Sequence, residues 1–205
     1  MTATGLAITA PAVPETVPAW QPWAPDRAGL ARLRRWRTPR RVWLTEDVAR
    51  PDVAEARLRS VLDALAAADR HAFALVTAHP RRLARAATGY FFRHAGAPVP
   101  AHVLLAVVVA QPETFFELTG PLPYAPARAR GLVLRTARVG AALVAPVLSP
   151  PGGPGISRVL VEREMGAALR HWARDLGQAG AAAGATLERV PGALLAGLAD
   201  AERAA

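Results

Sequence analysis

Asp47, Thr77, His79, Glu113 and Glu162 are the side chains with which this chain could do chemistry, because each stands at or just beyond the end of a short apolar run that reads as a β-strand. In parallel α/β architectures ligands sit beyond the carboxyl ends of the strands, so these positions would share one crevice with Thr45, Glu46, Gln111, Arg135 and Glu164. An imidazole (His79) and three carboxylates (Asp47, Glu113, Glu162) have the chemistry to ligate a borderline or hard divalent ion. Glu162 with Glu164 could serve as a general acid/base pair. Neither set stands at a recognised ligand spacing, and Arg158 and Arg163 offer both glutamates ion-pair partners. The sequence therefore predicts no metal centre and no cofactor, and leaves catalysis unassigned.

Other chemistries are disfavoured by residue type. There is no cysteine among the 205 residues, which removes disulfides, thiolate metal sites, iron–sulfur clusters and cysteine nucleophiles together. Ser60 falls inside a helical pattern, and Ser149 and Ser157 flank a Pro-Gly loop without a Gly-x-Ser-x-Gly elbow. That loop, Pro151-Gly-Gly-Pro-Gly155, has prolines where a phosphate cradle needs amide donors. His71, His94, His102 and His171 fall at strand starts or within or beside helices, and read as structural or surface imidazoles.

Positive charge is the remaining signal. The formal net charge is +9, and all 25 basic residues are Arg. Arg34, Arg35, Arg37, Arg40 and Arg41 are interleaved with Trp36 and Trp43, and Arg81 and Arg82 with Arg85 form a second cluster at a helix start. Arginines beside aromatics are what single-stranded nucleic acid binding uses, phosphates on guanidinium and bases on rings. The competing reading makes the tryptophans core anchors and the arginines a solvated rim, in a chain whose Ala-, Arg-, Gly- and Pro-rich composition reflects genomic base bias.

The elements that must position these residues follow from periodicity. Arg40 to Thr45, Ala72 to Thr77 and Ala101 to Val109 are apolar on nearly every position and are separated by helical patterns, which predicts buried parallel strands joined by helical crossovers. Residues 1–26, with five prolines after Ala10, read as an extended or partly disordered lead-in whose Trp20 and Trp23 dock on the body; residues 27–205 read as a single α/β domain. Arg27 to Trp36 is expected to be a short amphipathic helix. A second helix starts after Pro51-Asp-Val-Ala-Glu55, with Asp52 as the acidic cap and Leu58, Val61, Leu62 and Leu65 on one stripe. Further helices are expected from Pro80, over Glu113 to Thr119, from Leu169 to near Gly180 or Gly184 and from Ala193 to Arg203, and further strands over Ala129 to Leu134, Ala141 to Leu148 and Ile156 to Val161, with a short apolar run at Ala185 to Val190.

Trp36-Arg-Thr-Pro-Arg-Arg-Val-Trp-Leu44, His71-Ala-Phe-Ala-Leu-Val-Thr-Ala-His-Pro-Arg-Arg-Leu83 and Pro100-Ala-His-Val103 resemble, in order, segments of a phage-associated family related to radical S-adenosylmethionine enzymes. That family carries a Trp-x-x-Pro-Arg-Arg strand, a Phe-x-x-Leu-Thr-Lys-Arg-Pro-x-Arg strand-to-helix junction and a Pro-x-Asn-Val strand. The segment Trp172 to Gly184 is similar to its Trp-x-Arg-x-Leu-x-x-Gln-Cys-x-x-Ala-Gly stretch, with Ala179 in place of the cysteine. The likeness spans roughly residues 33 to 190 and implies a partial (β/α) barrel-like parallel sheet with flanking helices. It also implies a three-cysteine motif ahead of the first strand, holding a [4Fe–4S] cluster. Here that region reads Trp20-Gln-Pro-Trp23, the Lys-Arg pair is Ala78-His79, and the glycine-rich strand end is Val161-Glu-Arg-Glu-Met-Gly166.

The combined expectation is a degenerate member of that family without the cluster, a non-catalytic binding or accessory subunit, with a cysteine-bearing relative as its partner. Two alternatives stay open: a nucleic-acid-binding protein using the Arg/Trp patch, and an enzyme with changed, metal-assisted chemistry at the strand ends. The longest apolar run, Val103 to Ala110, is too short to span a bilayer, and no charged secretory start precedes Arg27, so a cytoplasmic protein without membrane association is expected.

Overall fold

The computed structural model describes residues 19–33, 35–162 and 169–196. Among them, seven strands form one all-parallel sheet: β1 Trp20–Trp23, β2 Arg41–Leu44, β3 Ala72–Thr77, β4 Val103–Val109, β5 Arg130–Leu134, β6 Arg158–Glu162 and β7 Thr186–Val190. Spatial order equals chain order, so each connection advances one place in the same direction, and the sheet curls into a half-barrel. The crossovers are α1 Arg27–Leu33, α2 Glu55–Ala66, α3 Pro80–Arg93, α4 Phe115–Thr119, α5 Ala141–Val144 and α6 Leu169–Ala182; α7, Gly192–Ala196, follows β7.

Both faces of the sheet are covered, which is why its central strands are apolar at successive positions. All seven residues of β4 are buried. Leu104, Ala106 and Val108 point to the inner, concave side with Trp20, Trp43, Ala74, Val76, Val133, Leu160 and Val190. On the convex side Val103 and Leu105 pack with Leu58, Leu62 and Leu65 of α2 and Leu83 and Ala87 of α3. Val107 and Val109 join a separate outer cluster with Phe115, Val144 and Leu176. On the concave side of β5, Gly131 packs close to β4: a Cβ there would lie 3.1 Å from both Ala106 Cβ and Leu104 Cδ1.

Four sequence expectations change. Trp20–Trp23 is not lead-in but strand β1, paired with Arg41 to Leu44 in parallel register; residues 1–18 lie outside the described residues. Ala141 to Leu148 is helical, α5 continued by a 3-10 turn over Ala145–Val147, rather than a strand. Its unbroken apolar run fits either state, and Val144 packs in the outer cluster with residues of β5 and β6 instead of joining the sheet. The first helix stops at Leu33, leaving Trp36 in the loop before β2. Finally, Asp52 does not cap α2: the N-cap is Ala54, and Asp52 pairs with Arg50 instead. The last helix is described only to Ala196, and 197–205 lie outside the described residues. No helix among the described residues is long and apolar enough to cross a membrane.

Candidate functional site

At the carboxyl end of the sheet, sequence neighbours on β2 and β3 meet. Asp47, only 5% exposed, accepts the Thr77 hydroxyl at 2.9 Å and the Ala78 amide at 3.2 Å on Oδ2, and the Ala49 amide at 2.9 Å on Oδ1. Thr77 Oγ1 in turn accepts the His79 amide at 2.8 Å. The Asp47 carboxylate is thus surrounded by donors from its own scaffold, and its work is to tie the β2 and β3 ends together. His79 contributes its backbone here, at the start of α3, and its half-buried ring makes no side-chain cap.

The other predicted crevice residues do not join this pair. Glu113 is exposed on a 3-10 turn, Pro112–Thr114, after β4. Glu162 is exposed at the end of β6, three strands from β3, roughly 14 Å along the sheet at normal strand spacing. Thr45 and Gln111 are exposed, Glu46 pairs with Arg57 at 2.8 Å, and Glu164 lies outside the described residues. Among the described residues no three His, Asp or Glu side chains are grouped to hold a metal ion. The inner side at this end is apolar: Leu194 and Leu195 of α7 pack with Val190, Ala78 and Val108.

These residues do not fit the iron–sulfur cluster that the family resemblance implies. The cluster needs thiolates, the chain has none, and the stretch where the cysteines would stand is strand β1, with Trp20 and Trp23 buried in the cores on either side of the sheet.

The amino end of the half-barrel holds the polar interior. Glu188 of β7 accepts Trp20 Nε1 at 2.6 Å and forms an ion pair with Arg41 of β2, whose guanidinium lies 4.1 Å over the Trp20 ring. The side chains of the pair are 17% and 22% exposed. Arg158 of β6 faces the same carboxylate; burial holds its guanidinium below the ordinary arginine value, Arg41 adds to that, and Glu188 opposes it. This clasp joins β1 and β2 to β7 across 147 to 168 residues of chain, linking the two edges of the curled sheet.

Beside it, on the outside, an open groove of about 1190 Å³ runs between α1, the loop 35–37, the end of α2 and the turn into β3. Arg35, Arg37, Arg70, Trp36, His71, Asp63 and Asp69 line it with Leu33 and Ala64. His71 is 4% exposed, stands edge-on to Trp36 at 5.5 Å, and its Nδ1 has no hydrogen-bond partner among the described residues. Burial first, then Arg40 and Arg70, push this imidazole below its ordinary value.

The predicted Arg/Trp patch is therefore not one surface. Arg35, Arg37 and Trp36 line the groove, Arg40 lies over the Trp36 ring at 4.7 Å, Arg41 turns into the barrel, and Arg34 lies outside the described residues. Arg81 and Arg82 belong to the opposite end, where Arg82 donates to the Arg50 and Val53 carbonyls and Arg81 is exposed. Sequence reasoning missed Arg70, His71 and Glu188 as parts of either arrangement. Nothing local marks them, because their partners come from α1, β1 and β2. Comparison of the chain with protein-family models, with curated proteins and with solved structures gives no match in any of the three.

Proposed function

We propose that this chain is a cluster-free relative of the radical S-adenosylmethionine enzymes, acting as a binding or accessory subunit without radical chemistry of its own. The observation that carries the reading is a parallel half-barrel wound in chain order whose first strand is Trp20-Gln-Pro-Trp23, with indoles where the resemblance places thiols. Two features support it. Asp47 and Thr77, the most buried polar pair at the carboxyl end, are engaged by hydrogen bonds of the scaffold. The inner face beside them is closed by Leu194 and Leu195. Accessory proteins need contact surface instead of a reactive centre, and Phe92 of α3, Phe116 of α4 and Tyr124 are large aromatics exposed on the convex side, a residue class enriched at protein interfaces. A cysteine-bearing relative remains the partner that the resemblance suggests.

Iron and acid-labile sulfide are to be measured on the protein after anaerobic reconstitution. The expected result is background iron and no charge-transfer absorbance. A stoichiometric cluster would overturn the reading outright.

A further inference from the structure

The groove at the amino end of the sheet is not used by the scaffold reading above, and its lining has a definite chemistry. Arg35, Arg37 and Arg70 are exposed along it, and no carboxylate pairs with them among the described residues. Of the two aspartates in the lining, Asp63 is engaged by Arg93 at 2.8 Å, which leaves Asp69 as the one lining carboxylate without a described ion pair, against three arginines. Arg40, over Trp36, adds a fourth positive charge close by. The same lining contributes apolar and aromatic surface: Leu30, Ala64, Ala68 and the half-buried Trp36.

Cationic forks spaced along an aromatic and apolar floor match a ligand that alternates phosphates with flat rings. Guanidinium groups take phosphate oxygens two at a time, and ring faces or guanidinium planes take bases. Duplex nucleic acid hides its bases from such a floor, whereas a single strand presents them. At about 1190 Å³ and open to solvent, the groove exceeds the roughly 300–1,000 Å³ of enclosed small-molecule pockets, which suits a segment of a chain better than one engulfed ligand. We propose that this groove binds a short stretch of single-stranded nucleic acid, with phosphates on Arg35, Arg37 and Arg70 and a base against Trp36.

The test is fluorescence anisotropy with a labelled oligothymidylate of about 15 nucleotides, within the footprint of known single-strand binders. Wild-type protein is compared with Arg35→Ala/Arg37→Ala/Arg70→Ala and with Arg81→Ala/Arg85→Ala, a pair of exposed arginines at the opposite end. All five positions are exposed, and unchanged thermal midpoints establish that each variant is folded. The groove variant is expected to bind at least about tenfold more weakly, and its salt slope to fall by about two, near 0.7 for each lost phosphate contact. The opposite-end pair should bind within about twofold of wild type. Equal losses in both variants, no binding at about 50 mM salt, or equally tight binding of duplex DNA or polyglutamate would each overturn the assignment. Iron analysis is blind to all of these outcomes, so failure here leaves the cluster-free scaffold standing, and the reverse.

Discussion

The two ends of the half-barrel use their polar residues in opposite ways. At the carboxyl end Asp47 and Thr77 are buried and engaged by the scaffold, Asp47 accepting from the Ala49 and Ala78 amides and the Thr77 hydroxyl, and Thr77 accepting from the His79 amide. At the amino end Arg35, Arg37 and Arg70 stand in an open groove with no carboxylate partner among the described residues. A polar group already satisfied by its scaffold has little left to offer a ligand. A charged group kept exposed beside an aromatic side chain has kept that capacity. The contrast teaches that position at the end of a parallel strand is not enough to make a site: what counts is how many of a side chain's hydrogen bonds the fold has already taken.

The strongest way to break this contrast lies inside the amino end. Glu188→Ala leaves Arg41 and Arg158 in the barrel interior without their carboxylate, and is expected to cost about 2 kcal/mol, below the roughly 3–5 kcal/mol for a fully buried pair because this one is partly exposed. Glu188→Gln, which can still accept from Trp20 Nε1, should cost less. Urea midpoints at unchanged m-value measure both; a loss below about 1 kcal/mol for the alanine variant would mean that the clasp does not hold the sheet edges together.

Asp47 sharpens the comparison from the other end. Asp47→Ala abandons the Thr77 hydroxyl and two amides in a buried setting, and about 2 kcal/mol should be lost, whereas Asp47→Asn retains an acceptor and should lose about half of that. Equal midpoints for wild type and Asp47→Ala would free this carboxylate for a functional role and return attention to the carboxyl end.

The smallest effect is a pH dependence. His71 sits below its ordinary value of 6.5, depressed first by burial and then by Arg40 and Arg70, with Asp69 and the Trp36 backbone opposing. The unfolded chain then binds a proton that the folded chain refuses, so stability should decline as the pH falls through 6.5 towards the folded-state value. His71→Phe should flatten that decline between about pH 7.5 and 5.5 in thermal midpoints. Identical slopes in the two proteins would place the acid sensitivity elsewhere.

How far the sequence reaches differs between these two ends. Strands β2 to β6 are legible because burial on both faces leaves near-continuous apolar runs, and α2 because its stripe at Leu58, Val61, Leu62 and Leu65 is the one that packs. Strand β1 hides behind one proline and two tryptophans: four residues with exposed Gln21 and Pro22 carry no period that composition could announce. Ala141 to Leu148 misleads for the opposite cause, since small apolar residues suit a buried helix as well as a strand. Asp47 and Thr77 were visible as strand-end residues, but not that they would satisfy one another.

Residue order alone determined the alternation of strand and helix, the parallel sheet it requires, and the impossibility of thiolate chemistry, because periodicity and residue type are local properties. Which arginines face a groove and which face a carboxylate was decided only by the tertiary structure. The curl brings Glu188 to Trp20 and Arg41, the pairing of β2 beside β3 brings Trp36 to His71, and both depend on distances that no stretch of sequence contains.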